Sequence, residues 1–435
     1  MKFYRFFYNI LFVIGFVFTW PYYFRRMWRR GNVAQGFFER FGCYSKELRQ
    51  KIASMNRPIW IHAVSVGEIK IAQVLIREIR ALAPQQPVVI STTTQTGRQV
   101  GGKLVDAQTA LIYTPIDFFC VTRRAFDLIR PSLLVLVESE IWPNMVWEAE
   151  NRLVPVCLIN ARLSERSRRR YRRFSFWMEP ILRKLAWIGV QHPDDLPRLA
   201  DAGFQPHKLF QTGSLKFDVA DLGNYDNELA VLLRQKLGWT ANDLVLLGGS
   251  THPGEEELLL RTFQNLKKTA PSLKLILAPR HMERAAEVET VCNSWSTVRK
   301  SRLNGTGGTS PDVLILDTTG ELSSLYPMGD LIFIGKSLLG RGGQNFIEAA
   351  RFGRPVIVGP HMENFANLAE TFKKDGGIVQ VANEEELLET MQALLVDEPR
   401  REQLSQRAAA IFQQNLGAGK TTARMILATL ANVKK

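Results

Sequence analysis

The hydrophobic pattern of the chain repeats one arrangement: a short apolar run, a turn of small or polar residues, and then a helical periodicity. Residues 58–72 show it most clearly, because an apolar run at 59–63 leads through a small-residue turn into helically spaced apolar positions. Such a run is typical of a strand buried on both faces of a parallel sheet. The chain is therefore predicted to be an α/β protein.

The alternation of apolar runs and helical stretches occurs in two blocks. Predicted strands of the first block are 59–63, 88–91, 133–137, 154–159 and 187–190. Those of the second block are 244–247, 273–277, 313–316, 331–334 and 355–358. We predict a Rossmann-like domain at 25–218, a polar linker at 219–242, a second Rossmann-like domain at 243–400 and C-terminal helices at 401–435.

Residues 6–24 form a separate element, an apolar and aromatic run without a charged residue. Its length is close to the ~20 residues that a membrane-spanning helix needs. The run is followed by an excess of basic residues, at Arg25, Arg26, Arg29 and Arg30. This imbalance predicts a retained N-terminal anchor at 1–24, with the chain that follows it on the cytoplasmic side. The pattern leaves open whether the anchor spans the bilayer or lies in one leaflet.

Charge adds an anionic partner to this picture. The 435-residue chain has a formal net charge of +14, which favours nucleic acid, acidic lipid or a phosphorylated substrate. Residues 162–173 hold seven arginines and, as a helix, would have a basic face and an apolar face, which suits an anionic membrane surface. The alternative is a solvated charged face. The four cysteines are far apart, which argues against a disulfide framework and a zinc site.

Polar side chains follow the predicted strands of the first block. Ser65, Gly67 and Glu68 come after the first strand, Arg98 after the second and Glu138 after the third. Ligands of open α/β sheets bind at this carboxyl edge. A carboxylate there can accept a proton, and the alternative for Glu68 is an acid that only complements the helix dipole.

The second block repeats this arrangement. Ser250 lies in a Gly-rich turn whose backbone amides could cradle a phosphate, and Arg280 and His281 follow the next strand. The GAGKTT stretch at 417–422 resembles a P-loop, but Gln414 stands where a P-loop needs glycine, so we predict a turn between helices. A D-x-D pair or a His/Cys cluster for a divalent metal is absent from the sequence.

Motifs spread over nearly the whole chain carry a resemblance to a family. They are HAVSVGE at 62–68, VESEIWPN at 137–144, NARLSERS at 160–167, GSLKFD at 213–218, APRH at 278–281, TTGEL at 318–322 and GGQNFIEAARFGRPVIVGPHMENF at 342–365. The sequence resembles the 3-deoxy-D-manno-octulosonic acid (Kdo) transferases of Gram-negative bacteria. The resemblance implies a GT-B glycosyltransferase fold, with two Rossmann-like domains facing a cleft. It also implies metal-independent, inverting transfer of Kdo from CMP-Kdo to a lipid A precursor in lipopolysaccharide core biosynthesis.

The resemblance also implies roles for individual residues. Glu68 matches the general base of the family, and Glu138 and Lys216 match positions that stabilise the transition state. The positions that match the CMP-binding segments are Pro279, Arg280, Thr319, Gly320, Glu321, Asn345, Phe346, Ile347 and Glu348. Ser65, Gly67, Arg98, Ser250 and His281 are further candidates, on the acceptor side or near these segments. Gln344 and Thr319 depart from the family, where many relatives have His and Met.

The expected partners are CMP-Kdo, the lipid A precursor and the anionic inner-membrane surface, without a cofactor and without nucleic acid. One alternative is another membrane-associated GT-B enzyme that uses a UDP-sugar. The other alternative is a non-catalytic, basic, membrane-bound nucleic-acid-binding protein, which the charge of +14 suggests. The concentration of basic residues beside the anchor argues against it.

Overall fold

The computed structural model describes residues 2–29, 36–163, 165–223, 225–226, 228–303 and 310–433. Arg30 and Ser164, which belong to predicted motifs, lie outside the described residues, as do the side chains of Arg26, Arg29 and Arg166. The chain divides into two compact units, Met1–Val219 with Leu416–Lys435, and Ala220–Asn415.

The first unit is built on a parallel sheet in the order β3-β2-β1-β4-β5-β6-β7. Its strands are β1 (Ile59–His62), β2 (Val88–Thr92), β3 (Thr109–Tyr113), β4 (Leu133–Val137), β5 (Val156–Ala161), β6 (Trp187–Val190) and β7 (Leu209–Gln211). Its helices are α1 (Lys2–Arg29), α2 (Lys46–Ala53), α3 (Val66–Leu82), α4 (Gln95–Gly102), α5 (Phe119–Ile129), α6 (Pro143–Asn151), α7 (Glu165–Arg173), α8 (Ser175–Leu182), α9 (Asp195–Asp201) and α10 (Leu215–Asp221), which reaches the unit boundary.

The second unit is built on another parallel sheet, in the order β10-β11-β9-β8-β12-β13-β14. Its strands are β8 (Val245–Thr251), β9 (Lys274–Pro279), β10 (Thr297–Arg299), β11 (Val313–Ile315), β12 (Leu331–Ile334), β13 (Val356–Val358) and β14 (Val379–Gln380). Its helices are α11 (Leu229–Lys236), α12 (Glu255–Leu266), α13 (Ala285–Val291), α14 (Leu322–Leu325), α15 (Ile347–Arg351), α16 (Ala366–Lys374), α17 (Glu384–Val396) and α18 (Glu398–Gln414). The chain then returns to the first unit as α19 (Ala418–Val433).

The two sheet orders place a topological switch point in each unit. In the first sheet β1 lies between β2 and β4, and in the second sheet β8 lies between β9 and β12. Chain connections leave in opposite directions from the two strands of a switch point, which opens a crevice at their carboxyl ends. The strand ends of β1 and β4, and of β8 and β12, are therefore the places to look for ligand-binding side chains.

The C-terminal segment differs in part from its prediction. The turn between α18 and α19 ends at Gly417, which has φ 98°, and the rest of the stretch that resembles a P-loop, 418–422, forms the start of α19. The Gly417 amide donates to the Asp218 carboxylate over 3.0 Å. The stretch predicted as a linker contains helix α11, and the compact units assign α18 and α19 to different units.

The N-terminal helix α1 packs on the first unit through one face. The Tyr8 hydroxyl donates to the fully buried Asp117 carboxylate over 2.8 Å, and Asn9 exchanges hydrogen bonds with Asn144. Along the same face, Phe12 lies against Phe118 with ring centroids 5.2 Å apart. Among the helices that the structure describes, none combines the length and the hydropathy needed to cross a bilayer. The prediction of an N-terminal anchor at 1–24, left open between spanning the bilayer and lying in one leaflet, is not confirmed by the structure.

Candidate active site

Glu68 lies at the switch point of the first sheet, in the first turn of α3. Its side chain is 6% exposed. One carboxylate oxygen accepts from the Val64 amide over 2.8 Å, and the other accepts from the Ser65 hydroxyl over 2.9 Å. Ser65 is the N-cap of α3 and its hydroxyl accepts from the Glu68 amide, so the two residues form a reciprocal cap. Glu68 is therefore fixed in position. Gly67, between them in the chain, is exposed.

The surroundings of Glu68 stabilise its protonated form, so that its pKa is higher than that of an ordinary glutamate. Burial raises the pKa of Glu68 to about 7, and the negative charges of Glu138 and Glu140 also raise it. Hydrogen bonds from Val64 and Ser65 oppose this shift. A carboxyl group that titrates near neutrality can serve as a proton acceptor or donor, because its two forms coexist at physiological pH.

Glu138 and Lys216 share this edge of the first sheet. Glu138 follows β4 at φ 60°, and its carboxylate accepts from the Asn160 amide nitrogen over 3.4 Å. The Asn160 side-chain oxygen in turn accepts from the Leu215 amide over 3.0 Å. Burial and the charge of Arg162 lower the pKa of Lys216 to about 8, and Glu138 opposes this shift. Asn160 thus connects the Glu138 segment to the helix start that carries Lys216.

Arg98 and His62, two other polar residues of the first unit, do not belong to the group around Glu68 and Glu138. Arg98 forms an ion pair with Glu39 over 3.1 Å and donates to the Leu111 carbonyl over 2.9 Å. Its guanidinium is therefore engaged by the protein, which argues against a direct role for Arg98 in ligand binding. His62 is fully buried, 3.0 Å from the Ser91 hydroxyl, and burial lowers its pKa to about 3. His62 is therefore a neutral core residue.

The second unit has a different group of side chains at its switch point. Arg280 and His281 follow β9 and are exposed, and the Arg280 amide donates to the Thr251 carbonyl over 2.9 Å. The rings of His281 and His252 lie 6.0 Å apart. Partial burial lowers the pKa of His252, and so do the positive charges of Lys336, His281, Arg280 and Arg284. The edge is therefore strongly basic. Ser250 precedes it at φ 55°.

The remaining predicted donor residues lie in two turns of the second unit. In the first, Glu321 accepts from Lys300 over 2.7 Å and from the Thr318 hydroxyl, beside Gly320 at φ 86°. Thr319 is exposed, with its hydroxyl 3.0 Å from the Met282 sulfur. In the second turn, Glu348 accepts from the Asn345 amide over 3.1 Å and from the Ser323 hydroxyl. These carboxylates are held in place by neighbours.

Phe346 and Ile347 are fully buried. The Phe346 ring packs edge-on against Phe372 at 5.1 Å, so the two side chains belong to the core. Their backbone remains the part that could reach a ligand.

Sequence reasoning did not select several residues that the structure brings to these edges. Glu140 raises the pKa of Glu68, and Asn160 holds Glu138. Lys336 follows β12 at φ 57° and lies within electrostatic range of His252. Asn160 and Lys336 both have positive φ, a backbone state that the sequence does not reveal for residues other than glycine. Within the described residues, no group of three metal-ligating side chains is close enough to hold an ion.

Solved structures show what class of protein this architecture belongs to. A glycosyltransferase from Rickettsia africae superposes with a TM-score of 0.59 at 11% identity, covering 87% of this chain and 99% of that one. UDP-GlcNAc 2-epimerase from Neisseria meningitidis superposes with a TM-score of 0.56 at 14% identity, covering 87% and 100%. The fold is thus that of the GT-B-like glycosyltransferases, with two parallel-sheet α/β domains.

Sequence relatives identify the family. The family model for 3-deoxy-D-manno-octulosonic-acid transferase (kdotransferase) matches residues 35–219. The 3-deoxy-D-manno-octulosonic acid transferase of Haemophilus influenzae is 30% identical over 88% of this chain and 89% of its own length. That of Bordetella pertussis is 32% identical over 91% and 93%. The chain belongs to the 3-deoxy-D-manno-octulosonic acid transferase family, so the predictions of a Kdo transferase and of an enzyme are confirmed.

Proposed function

We propose that this chain transfers Kdo from CMP-Kdo to a lipid A precursor, with inversion at the sugar carbon and without a metal ion. The observation that carries the proposal is Glu68, a fixed and buried carboxyl group with a pKa of about 7 at the switch point of the first sheet. In this reaction an acceptor hydroxyl must lose a proton as its oxygen attacks the sugar. Glu68 is the base that takes this proton.

The charge that develops on the leaving group requires a separate set of side chains. The bond between the sugar carbon and the phosphate oxygen breaks as the new glycosidic bond forms, and CMP departs with an additional negative charge. Cationic side chains stabilise such a charge through charge-assisted hydrogen bonds. Arg280, exposed at the basic edge of the second unit, is the donor-phosphate ligand, and Lys216 supplies a positive charge near Glu138.

The nucleoside part of the donor fits the turns that hold Glu321 and Glu348. Both carboxylates are oriented by hydrogen bonds, and each retains acceptor capacity that ribose or base donors can use. Thr319 and Gly320 provide a short exposed turn beside Glu321. These features support a nucleotide site. Comparison of CMP with UDP identifies the base that it accepts.

The enzyme acts at the cytoplasmic surface of the inner membrane. Helix α1 keeps its outer face apolar and accessible, with Phe6 62%, Leu11 57%, Val17 60% and Phe18 80% exposed. Its first turns pack on α8, where Tyr4 lies 5.0 Å from Phe176, and the preceding helix α7 is rich in arginine. An apolar face beside basic residues suits the interface of an anionic bilayer. A lipid-embedded acceptor would meet the enzyme there.

Transfer and nucleotide preference test the proposed reaction. The wild-type protein is incubated with CMP-Kdo and a lipid A precursor, and the product mass is compared with that from a UDP-sugar donor. Growth of the acceptor mass by one or more Kdo residues, with CMP but not UDP raising thermal stability, is the expected result. Transfer from the UDP-sugar, or stabilisation by UDP alone, would overturn the choice of donor.

Vesicle binding tests the proposed location. A Leu11→Asp, Val17→Asp double variant should lose cosedimentation with vesicles containing anionic phospholipid, because charge is placed on the apolar face. Leu82→Asp, at the end of α3, is the matched control since Leu82 is 45% exposed but lies away from α1 in the chain. Full retention of the double variant on vesicles at high salt would contradict the proposal.

A further inference from the structure

Lys336 is a charged residue in a backbone conformation that disfavours side chains. It follows β12 with φ at 57°, in the left-handed region that residues other than glycine rarely adopt. Such a conformation is unfavourable for a non-glycine residue and is concentrated at functional sites. The lysine at this position is therefore a candidate for a functional role of its ammonium group.

Glu255 fixes the backbone at Lys336 and at His252 by accepting a hydrogen bond from each amide. One oxygen of this fully buried carboxylate accepts from the Lys336 amide over 2.7 Å and from the His252 amide over 2.9 Å. The backbones at the ends of β12 and β8, the two strands of the switch point, are therefore joined through a single oxygen atom. This oxygen of Glu255 is engaged by two backbone donors, and among the described residues Glu255 forms no ion pair with Lys336.

The close approach of the two loops makes this arrangement specific. A Cβ atom on Gly335 would lie 2.3 Å from the Ser250 carbonyl oxygen, so only glycine fits before Lys336. Gln344 contacts the His252 ring on its Nε2 side, with the nitrogen atoms 3.1 Å apart. Lys336 and His252 are thus positioned by the fold.

Lys336 and Arg280 have no acidic partner among the residues that the structure describes. Within the described part of the chain, neither the Lys336 ammonium nor the Arg280 guanidinium forms an ion pair or a side-chain hydrogen bond. Arg284, the neighbouring cation, differs because it pairs with Glu256 over 2.9 Å and with Glu287 over 2.7 Å. Unpaired cations at a switch point indicate a site for an anion.

The donor chemistry explains why more than one cation is needed. An ulosonic acid carries its carboxylate on the sugar carbon that bonds to the phosphate, so two anionic groups are attached to the same carbon. We propose, on the basis of the proposed function, that Lys336, with His252 beside it, binds the carboxylate of the donor sugar while Arg280 binds its phosphate. Lys336 is then a specificity determinant for acidic sugars.

Separate measurements on donor and nucleotide test this assignment. Lys336→Met removes the charge, Lys336→Gly removes both the side chain and the backbone strain, and Lys336→Arg retains a cation. The donor KM for CMP-Kdo should rise about ten- to hundredfold in the Met and Gly variants and recover to within a few-fold in Arg. The inhibition constant of CMP, which has no sugar carboxylate, should change by less than about twofold.

Controls separate the possible failures. Lys373→Met changes an exposed lysine of α16 in the same unit, and it should leave the donor KM unchanged. Lys336→Gly should match or exceed the thermal stability of the wild type, since glycine adopts positive φ without strain. An unchanged donor KM, or a CMP inhibition constant that rises in parallel, overturns the carboxylate assignment while transfer by the wild type still supports the proposed function. Absence of Kdo transfer by the wild type overturns both.

Discussion

The carboxyl edges of the two sheets have opposite electrostatic character, although both are parallel sheets with a switch point. The first edge is acidic, and burial together with the charges of Glu138 and Glu140 raises the pKa of Glu68 there, while burial and the charge of Glu138 raise the pKa of Glu140. The second edge is basic and more exposed, and Arg280 and Lys336 have no ion pair in the described part of the chain. The same architecture thus carries carboxyl groups at the edge of one unit and cations at the edge of the other, which is the division that the proposed reaction requires.

The largest effect is expected at the acidic edge. Glu68→Gln keeps the size of the side chain but cannot accept a proton, and loss of a general base typically lowers the rate about 10²–10⁴-fold. CMP binding should be unchanged, because the donor is assigned to the second unit. Single-turnover transfer and CMP titration on one preparation measure both quantities.

Glu140→Gln is the matched control for this substitution. Glu140 is half-buried near Glu68 and accepts from the Trp142 ring nitrogen over 3.2 Å, but it is not assigned to the proton transfer. Its neutralisation should change the rate by less than about tenfold. Near-normal transfer by Glu68→Gln would remove Glu68 from the role of base, and loss of CMP binding would show that the division between the edges is wrong.

The basic edge should respond in the donor parameters. Arg280→Ala removes a charge-assisted contact to the CMP phosphate, worth about 1.5–3 kcal/mol, so the donor KM should rise or kcat should fall at least about tenfold. Arg261→Ala is the control, since Arg261 is exposed on α12 and pairs only with Glu384 among the described residues. Wild-type kinetics in Arg280→Ala would exclude Arg280 from the phosphate site.

The central part of each sheet could be predicted from the sequence, and the outermost strands could not. Strands such as β1, β4 and β12 are continuous apolar runs because helices cover both of their faces. In the described part of the chain, the strands that the pattern missed are the edge strands β3, β7, β10 and β14. Three of these are short and incompletely buried, so they leave no apolar run to detect.

The strand-end residues of the candidate site could be predicted from the sequence, but their ion-pair and hydrogen-bond partners could not. Glu68, Glu138 and Arg280 could be located because each follows an apolar run, either directly or after a short turn. Arg98 looked equivalent, yet it pairs with Glu39, which is 59 residues away in the chain, and no local pattern reports such a partner. The importance of Lys336 depends on a left-handed backbone and on two amides that meet one carboxylate, which only the structure reveals.

The pH dependence of transfer sharpens the comparison further. A base must be deprotonated to act, and the pKa of Glu68 is raised to about 7, so the rate should fall about tenfold for each pH unit below 7. Above about pH 8 the rate should decline as Lys216, whose pKa is lowered to about 8, loses its charge. The acidic limb should disappear in Glu68→Gln while CMP affinity keeps its wild-type pH profile. An acidic limb that persists in the variant would assign it to another group.

The smallest effect concerns the support of the acidic edge by α1. Tyr8→Phe removes the hydroxyl that donates to Asp117, which also accepts from the Asn144 amide at the start of α6, shortly after the Glu138 segment. The carboxylate stays buried with one donor fewer, so the free energy of unfolding should fall by about 1–3 kcal/mol. Thr19→Val, on the same helix, removes an exposed hydroxyl whose partners among the described residues are the carbonyls of Gly15 and Phe16, and it should cost less than about 0.5 kcal/mol. Urea unfolding of both variants measures the difference. Equal stability of the two variants would mean that the hydrogen bond from α1 adds nothing to the stability of this edge. CMP binding should be unchanged in either variant, because the basic edge belongs to the second unit.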